Sequence, residues 1–413
     1  MKLTELQLEQ IRNQIKRVKE FGNPFYTNKF KNVNPEDIKT QEDFENLVPF
    51  ETKQELRDAY PLGLATVPEE KIVRIQASSG TTGSPVVIPY TKKDLEDWAD
   101  MMAKCYEIAG ITQKDRLQIT FGYGLWTGAM GAQAGCEKLG ALALPLGPGN
   151  TERQLRMMQD LKSTVICATS SYALLLAEEV ERRGIKDKIF LKKGIIGSER
   201  WGDKMRNRIK NNLGIEIYDI YGLTECYGPG VGISSKDENA INIIDDYIYI
   251  EILDPLTGKP VPYGEIGEVT LTTLKKEGAP LFRFRTHDLA AFVKEPSKNG
   301  LKYPRITPIM GRSDDMIKVK GNIVFPSSIE DVIKSVPGTS SEYHVVIEHV
   351  NGREIMTLLV EVESENDRTK ISQALASNFK QKYNLTPQVK AVGIGELPRT
   401  EGKTKRIEDK RFI

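Results

Sequence analysis

Gln76-Ala77-Ser78-Ser79-Gly80-Thr81-Thr82-Gly83-Ser84-Pro85, followed by the apolar run Val86-Val87-Ile88-Pro89, is the densest cluster of glycines and hydroxyls in the chain. Glycines let a backbone turn sharply and expose its N–H groups, and Ser and Thr hydroxyls add rotatable donors, so such a loop can wrap the oxygens of a polyphosphate. Composition alone reads equally well as a solvated hairpin between two strands. The lysine-bearing nucleotide loop Gly-x-x-x-x-Gly-Lys-Ser/Thr does not apply, because Ser84 and Pro85 follow Gly83. The Gly-Lys-Thr at Gly402 to Thr404 has Leu397 where the first glycine should stand. If the loop holds phosphates, its lysine comes from elsewhere.

Working outward, residues 72–76 and 86–90 read as strands flanking the loop. Upstream, residues 1–22 carry charges throughout with apolar positions Leu8, Ile11, Ile15 and Val18, the pattern of an amphipathic helix rather than a membrane span. Asn34-Pro35-Glu36-Asp37 and Thr52-Lys53-Gln54-Glu55 look like helix starts in a helical preamble reaching residue 70. Downstream, Thr91 opens a helix over 92–109, and a strand over 117–121 ends in Gly122-Tyr123-Gly124-Leu125-Trp126. Helices over 128–139, 152–161 and 171–183 then alternate with strands over 141–146, 164–168, 193–196 and 216–221. Such alternation predicts an α/β domain with a parallel sheet whose ligands sit beyond the carboxyl ends of the strands. After Gly228, strands over 247–253, 267–274 and 289–293 with the turn Asp254-Pro255-Leu256-Thr257-Gly258 predict a second, mostly antiparallel sheet. From Asp314 onward the pattern is strand, helix (327–336), two strands (344–348 and 356–363) joined across Asn351-Gly352, helix (367–383) and strand (388–394). This is a small α+β domain of about 100 residues.

At 413 residues the chain needs more than one core. Its 39% apolar and 28% charged residues are those of a soluble protein, and 58 basic against 57 acidic side chains leave no footprint for nucleic acid or an anionic membrane. Cys105, Cys136, Cys167 and Cys226 form no C-x-x-C pair, so free thiols in a reducing, cytoplasmic setting are expected. The three histidines have no ligand-like spacing.

Several short motifs fall near strand ends: Gly197-Ser198-Glu199, Tyr221-Gly222-Leu223-Thr224-Glu225, Arg283-Phe284-Arg285-Thr286-His287-Asp288-Leu289, Gly311-Arg312-Ser313-Asp314-Asp315, and Arg399-Thr400-Glu401-Gly402-Lys403-Thr404-Lys405-Arg406. Singly, each has an ordinary reading as helix cap, salt-bridged edge, linker or basic tail. Their joint order is specific. With Asn34 to Ile38, Thr52 to Arg57, Gly122 to Gly128, Gly149-Asn150-Thr151-Glu152-Arg153-Gln154 and Asp219-Ile220, they span nearly the whole chain. The set resembles the adenylate-forming superfamily of acyl-CoA ligases and luciferases, and within it the phenylacetate-CoA ligase family.

That resemblance implies a large N-terminal α/β domain (1–312) and a small mobile α+β domain (313–413) hinged at Asp314. It implies two steps: a carboxylate and ATP give an acyl-adenylate and pyrophosphate, then the thiol of coenzyme A displaces AMP. Ser79, Gly80, Thr81, Thr82 and Gly83 would hold the β- and γ-phosphates, while Thr224 and Glu225 would bind the α-phosphate and Mg²⁺. Tyr221 would face adenine, with Gly197, Ser198 and Glu199 on its other side and Asp219 and Gly222 in the same nucleotide set. Asp288 would bind the ribose hydroxyls, Arg312 ribose or phosphate, and Lys403 would bridge carboxylate and phosphate oxygens. Lys318, Lys320 and Gly321 would approach in the second step. The acid would lie against Tyr123, Trp126, Gln133 and Ile220.

Four departures bear on the carry-over. Ile233-Ser234-Ser235-Lys236 and Ala240-Ile241-Asn242 replace a Cys/His cluster frequent in relatives, so no structural zinc is expected. Gln133 stands where His is common and Trp126 where Phe is usual. His287 replaces the glycine that precedes the aspartate in the wider superfamily, and Arg200 follows Glu199. An aryl-type small-molecule acid is expected. The rivals are transfer to a carrier-protein thiol or an amine, separable by thioester formation with free coenzyme A, and a non-catalytic sensor, which should have lost Lys403 or Glu225. Dimers are common in the family, and the preamble could supply an interface.

Overall fold

The protein is seen in a computed structural model. It describes all residues except 1, 79–83, 200, 315–316, 320–321, 325, 351–352, 399–405 and 412–413, and the backbone alone of 318, 322–323, 327–328 and 353. The expected loop residues Ser79 to Gly83, together with Lys320, Gly321 and Lys403, therefore lie outside the described residues.

Five short strands, Leu142–Pro145, Arg116–Ile119, Val165–Thr169, Lys193–Gly197 and Glu216–Leu223, pair in that order as a parallel sheet. Strands Val165–Thr169 and Lys193–Gly197 are mostly buried along their length, as expected for strands covered by helices on both faces. The strand order reverses beside Arg116–Ile119, which opens a crevice at the carboxyl ends where the loop Gly122 to Trp126 emerges. Helices Lys92–Ile108 and Thr127–Leu139 pack together around Trp98, into which a Cβ on Gly131 would drive at 2.4 Å.

The expectation for residues 228–243 needs correction. Strands Gly228–Ser234 and Ile241–Ile243 extend this first sheet in antiparallel fashion instead of starting the second. The second sheet, Ile248–Leu253, Gly267–Thr273, Phe284–Ala290 and Gly311–Arg312, is antiparallel as predicted. Its third strand begins earlier than the predicted 289, so the Arg283-to-Leu289 motif lies mainly within the strand.

The preamble is part of this domain. Thr4 caps helix Glu5–Phe21 through a capping box, and its stripe of Leu8, Ile11, Ile15 and Val18 is buried against Tyr249, Leu274 and Phe282 of the second sheet region. Beyond Arg312, a separate core gathers Ile329, Val345, Leu358, Leu375 and Phe379 from helices Pro326–Lys334 and Arg368–Tyr383 and strands Thr339–Val350 and Arg353–Val362. These strands form a hairpin, flanked in parallel by Gln388–Gly393 and Ile407–Asp409. Among the described residues, no helix is long and apolar enough to cross a membrane. All four cysteines are buried and free.

Candidate active site

Register in the second sheet sets Asp288 directly opposite Arg312, and Arg312 Nη1 donates to Asp288 Oδ1 at 3.1 Å. From the first sheet, the Tyr221 hydroxyl donates to Asp288 Oδ2 at 2.8 Å. Both carboxylate oxygens are thus held, one by each sheet. Burial raises the carboxyl above its ordinary range, opposed by the Arg312 charge and the Tyr221 hydrogen bond. Arg312 also grips Asp314 with Nε and Nη2, both at 2.8 Å, so the expected ribose ligand and the expected hinge share one guanidinium.

His287 holds φ +65°, a left-handed conformation that a glycine adopts without strain. Its carbonyl accepts from the Ser313 N–H at 2.7 Å, and its Nδ1 lies 3.0 Å from the Ser313 hydroxyl. These bonds tie the residue before Asp288 to the residue before Asp314.

Tyr221, Gly222 and Leu223 belong to strand Glu216–Leu223 rather than following it. The antiparallel partner Gly228–Ser234 keeps them extended, and a Cβ on Gly222 would lie 2.1 Å from the Gly228 carbonyl oxygen. Thr224 and Glu225 occupy the connecting turn, and both are buried. The Thr224 hydroxyl lies 3.2 Å from that of Thr127, at the start of helix Thr127–Leu139.

Two residues without an assigned role complete this turn. Lys53 Nζ forms an ion pair with Glu225 Oε1 at 2.8 Å. The fully buried Lys276 donates to the carbonyl of Cys226 and lies over the rings of Tyr90 and Tyr227 at 4.1 and 4.4 Å. Burial depresses the Lys276 ammonium to about 8, opposed chiefly by Asp94. Thr52 to Arg57 stood out in the sequence as a helix start, so Lys53 was within reach of pattern reading. Lys276, in a Lys275-Lys276 pair after a strand, carried no such signal.

Of the remaining expected residues, Gly197 ends strand Lys193–Gly197 and Ser198 follows it at φ +73°. A Cβ on Gly197 would meet the Ile220 carbonyl oxygen at 2.3 Å, which explains the glycine. Glu199 Oε2 accepts from the Ser170 hydroxyl and the Ser171 N–H, both at 2.9 Å, capping the neighbouring helix Ser170–Arg183. Asp219 lies 3.6 Å from Arg206, and burial pushes its carboxyl up to about 6. Toward the expected acid pocket, the Tyr123 hydroxyl donates to Gln133 at 2.9 Å, and the Gln133 amide donates to Glu137 at 2.7 Å. Trp126 packs edge-on against Phe121 and lies over Gly128, where a Cβ would approach its ring to 2.5 Å. Ile220 is buried. The hairpin of Arg74–Ala77 and Val87–Tyr90 brackets residues 79–83 in the sequence, and the Ala77 N–H donates to the Leu125 carbonyl at 2.8 Å, rooting that hairpin beside the loop Gly122 to Trp126.

Comparison with known proteins bears on this arrangement. Residues 23–273 match the AMP-binding enzyme family, and residues 321–411 the AMP-binding enzyme C-terminal domain. Curated relatives include a phenylacetate-coenzyme A ligase of Pseudomonas putida, 37% identical over 99% of this chain and 94% of the relative. A phenylacetate-coenzyme A ligase of Escherichia coli K12 is 37% identical over 94% of this chain and 91% of its own. Among solved structures, 2-hydroxyisobutyryl-CoA ligase in the postadenylation state gives a TM-score of 0.88 at 26% identity, covering 98% of this chain and 89% of that one. The same ligase in the thioesterification state gives 0.71 at 26% identity, with the same coverage. The chain belongs to the AMP-binding enzyme family, with a large N-terminal AMP-binding domain and a small C-terminal domain, in the phenylacetate-coenzyme A ligase branch.

Proposed function

We propose that the protein condenses an aryl carboxylic acid of the phenylacetate type with ATP to an acyl-adenylate, then transfers the acyl group to coenzyme A with release of AMP. The observation that carries this reading is the doubly held Asp288 carboxylate beside the buried Thr224–Glu225 turn, beyond the carboxyl ends of the parallel strands.

In the first step a carboxylate oxygen attacks the α-phosphorus and pyrophosphate leaves. Asp288, already fixed in place, accepts from the ribose hydroxyls with little further ordering. The Thr224 hydroxyl donates to an α-phosphate oxygen, and Lys403 supplies the cation that residues 79–83 lack. The turn fits Mg²⁺: a carboxylate and a hydroxyl are hard oxygen donors, and Lys53 at 2.8 Å marks the position beside Glu225 as one that draws positive charge. Among the described residues no three His, Cys, Asp or Glu gather as a metal site, so the substrate phosphates would complete the coordination. When bound, the ion would draw charge from the phosphate oxygens. In the second step the coenzyme A thiolate attacks the acyl carbon, and the bond to AMP breaks with its electrons leaving on the phosphate. The small domain turns about Asp314 between the steps, bringing Lys318, Lys320 and Gly321 toward the site. The higher similarity to the postadenylation-state structure supports assigning the observed arrangement to the adenylation side of that cycle.

A cytoplasmic location and a homodimer belong to the same proposal. Because the preamble's apolar stripe is packed internally, a dimer contact there would use its polar face and the exposed Leu6 and Phe21.

Exchange of labelled pyrophosphate into ATP across a panel of aryl and short-chain acids tests the reaction; silence across the panel overturns it. Lys403→Ala is expected to lower exchange by about 10²–10³-fold while sparing thioester formation from supplied acyl-adenylate. Asp314→Pro, which freezes a hinge dihedral, is expected to do the reverse.

A further inference from the structure

Away from the nucleotide cluster, a charged side chain crosses between the two domains. Lys204, on helix Asp203–Leu213 of the large domain, donates through Nζ to both the carbonyl and the hydroxyl of Thr339, each at 2.7 Å. Thr339 begins strand Thr339–Val350 of the small domain and is buried. Its hydroxyl also donates to the carbonyls of Ile333 and Val336, both at 2.8 Å, at the end of helix Pro326–Lys334. The grip therefore acts on a strand and a helix together. Among the described residues Lys204 has no carboxylate at ion-pair distance, and desolvation lowers its pKa, opposed by the more distant charge of Glu363. A half-stripped ammonium whose hydrogen bonds go to the neutral oxygens of Thr339 is costly even with Glu363 in its surroundings, and a helix position at the surface would ordinarily leave a lysine in water.

The crevice between this helix and the small domain carries a second connection. Trp201, Gly202 and Met205 face Ile333, Tyr343 and Arg406 across it. Arg406 bonds Glu342 at 3.0 Å, packs its guanidinium over the Tyr343 ring at 5.0 Å, and accepts at its carbonyl from the Val345 N–H at 2.8 Å. It is thus anchored to the strand that Lys204 grips, and it stands three positions after Lys403.

We propose that Lys204 is a positioning residue for adenylation. By holding Thr339 it docks strand Thr339–Val350 against the large domain, and through the Arg406 anchor it sets the base of the segment that carries Lys403. The thioester step requires this grip to open. The proposal rests on the reading of Lys403 given above, and the two fail separately in the following experiment.

Full-length Lys204→Met, Lys204→Arg and Lys403→Ala are compared in pyrophosphate exchange, in thioester formation from supplied acyl-adenylate, and in melting temperature. Losing two hydrogen bonds from a charged donor, largely offset by removing the cost of keeping that ammonium half-stripped, is expected to slow exchange roughly tenfold in Lys204→Met. Thioester formation should be unchanged or faster, the melting temperature should move by no more than about 2 °C, and Lys204→Arg should recover most of the exchange. Unchanged exchange in Lys204→Met, or an equal fall in both half-reactions, overturns the latch while leaving Lys403 in place if Lys403→Ala loses exchange alone. Full exchange in Lys403→Ala overturns both.

Discussion

Replacing Lys53 by methionine removes the ammonium beside Glu225 while keeping most of the side chain's length. The pair is 2.8 Å long, with Glu225 6% exposed and Lys53 31% exposed at the side chain. Exposed ion pairs contribute below about 1 kcal/mol, and breaking a fully buried one costs about 3–5, so this half-covered pair is worth about 2 kcal/mol. For a domain of this size that corresponds to a fall of about 3–4 °C in melting temperature. A cation binding beside Glu225 replaces the lost charge, so the cost should appear without ligand and shrink when Mg²⁺ and ATP are added. By the same cycle, the variant should bind the metal–nucleotide complex up to about 30-fold more tightly in the step that neutralises Glu225. Thermal denaturation with and without saturating Mg²⁺ and ATP reads both quantities. An equal loss in the two conditions would show that Lys53 and the bound cation do not compete for Glu225.

Tyr221→Phe deletes a hydrogen bond to a buried carboxylate, worth about 1.5–2 kcal/mol, so kcat/KM for ATP should fall about 10–30-fold. Initial rates with ATP varied test this, and an unchanged value would detach Tyr221 from ribose positioning. Glu51 is fully buried, with Oε2 accepting from the Phe282 N–H at 3.0 Å and Oε1 unpartnered among the described residues; burial raises its carboxyl to about 8. Between the ordinary carboxyl pKa and that value the native state keeps a proton the unfolded chain has lost. Its contribution is therefore complete at low pH and declines as pH rises toward 8, by about 1.4 kcal/mol per unit. Glu51→Gln should remove this slope, so its stability relative to the parent should grow from pH 5 to pH 8 in urea titrations; parallel pH profiles would contradict the assignment.

Much of the fold class was legible in the chain because it is written in local periodicity. The alternation of helix and strand, the antiparallel second sheet from Ile248, and the α+β pattern around the separate later core follow from which faces of single elements are apolar. The motifs were legible for a similar reason: residues such as Gly197 and Gly222 are imposed by contacts of 2.3 and 2.1 Å that exclude any Cβ. Where local pattern failed, a distant partner decided. Strand Glu216–Leu223 runs through the Tyr-Gly motif because Gly228–Ser234 folds back on it. Glu199 lies at the expected strand end, yet its carboxylate caps a helix from another part of the chain.

Periodicity and motif order in the chain suffice for the fold class and the family, and they name a set of residues expected to meet ATP. Tertiary structure alone decided how these are held: Asp288 between Tyr221 and Arg312, Glu225 against Lys53, Cys226 over Lys276, and Thr339 in the grip of Lys204. The physical reason is range. Burial patterns of single helices and strands depend on residues a few positions apart, whereas a charge is placed by whatever the completed fold brings within hydrogen-bonding distance.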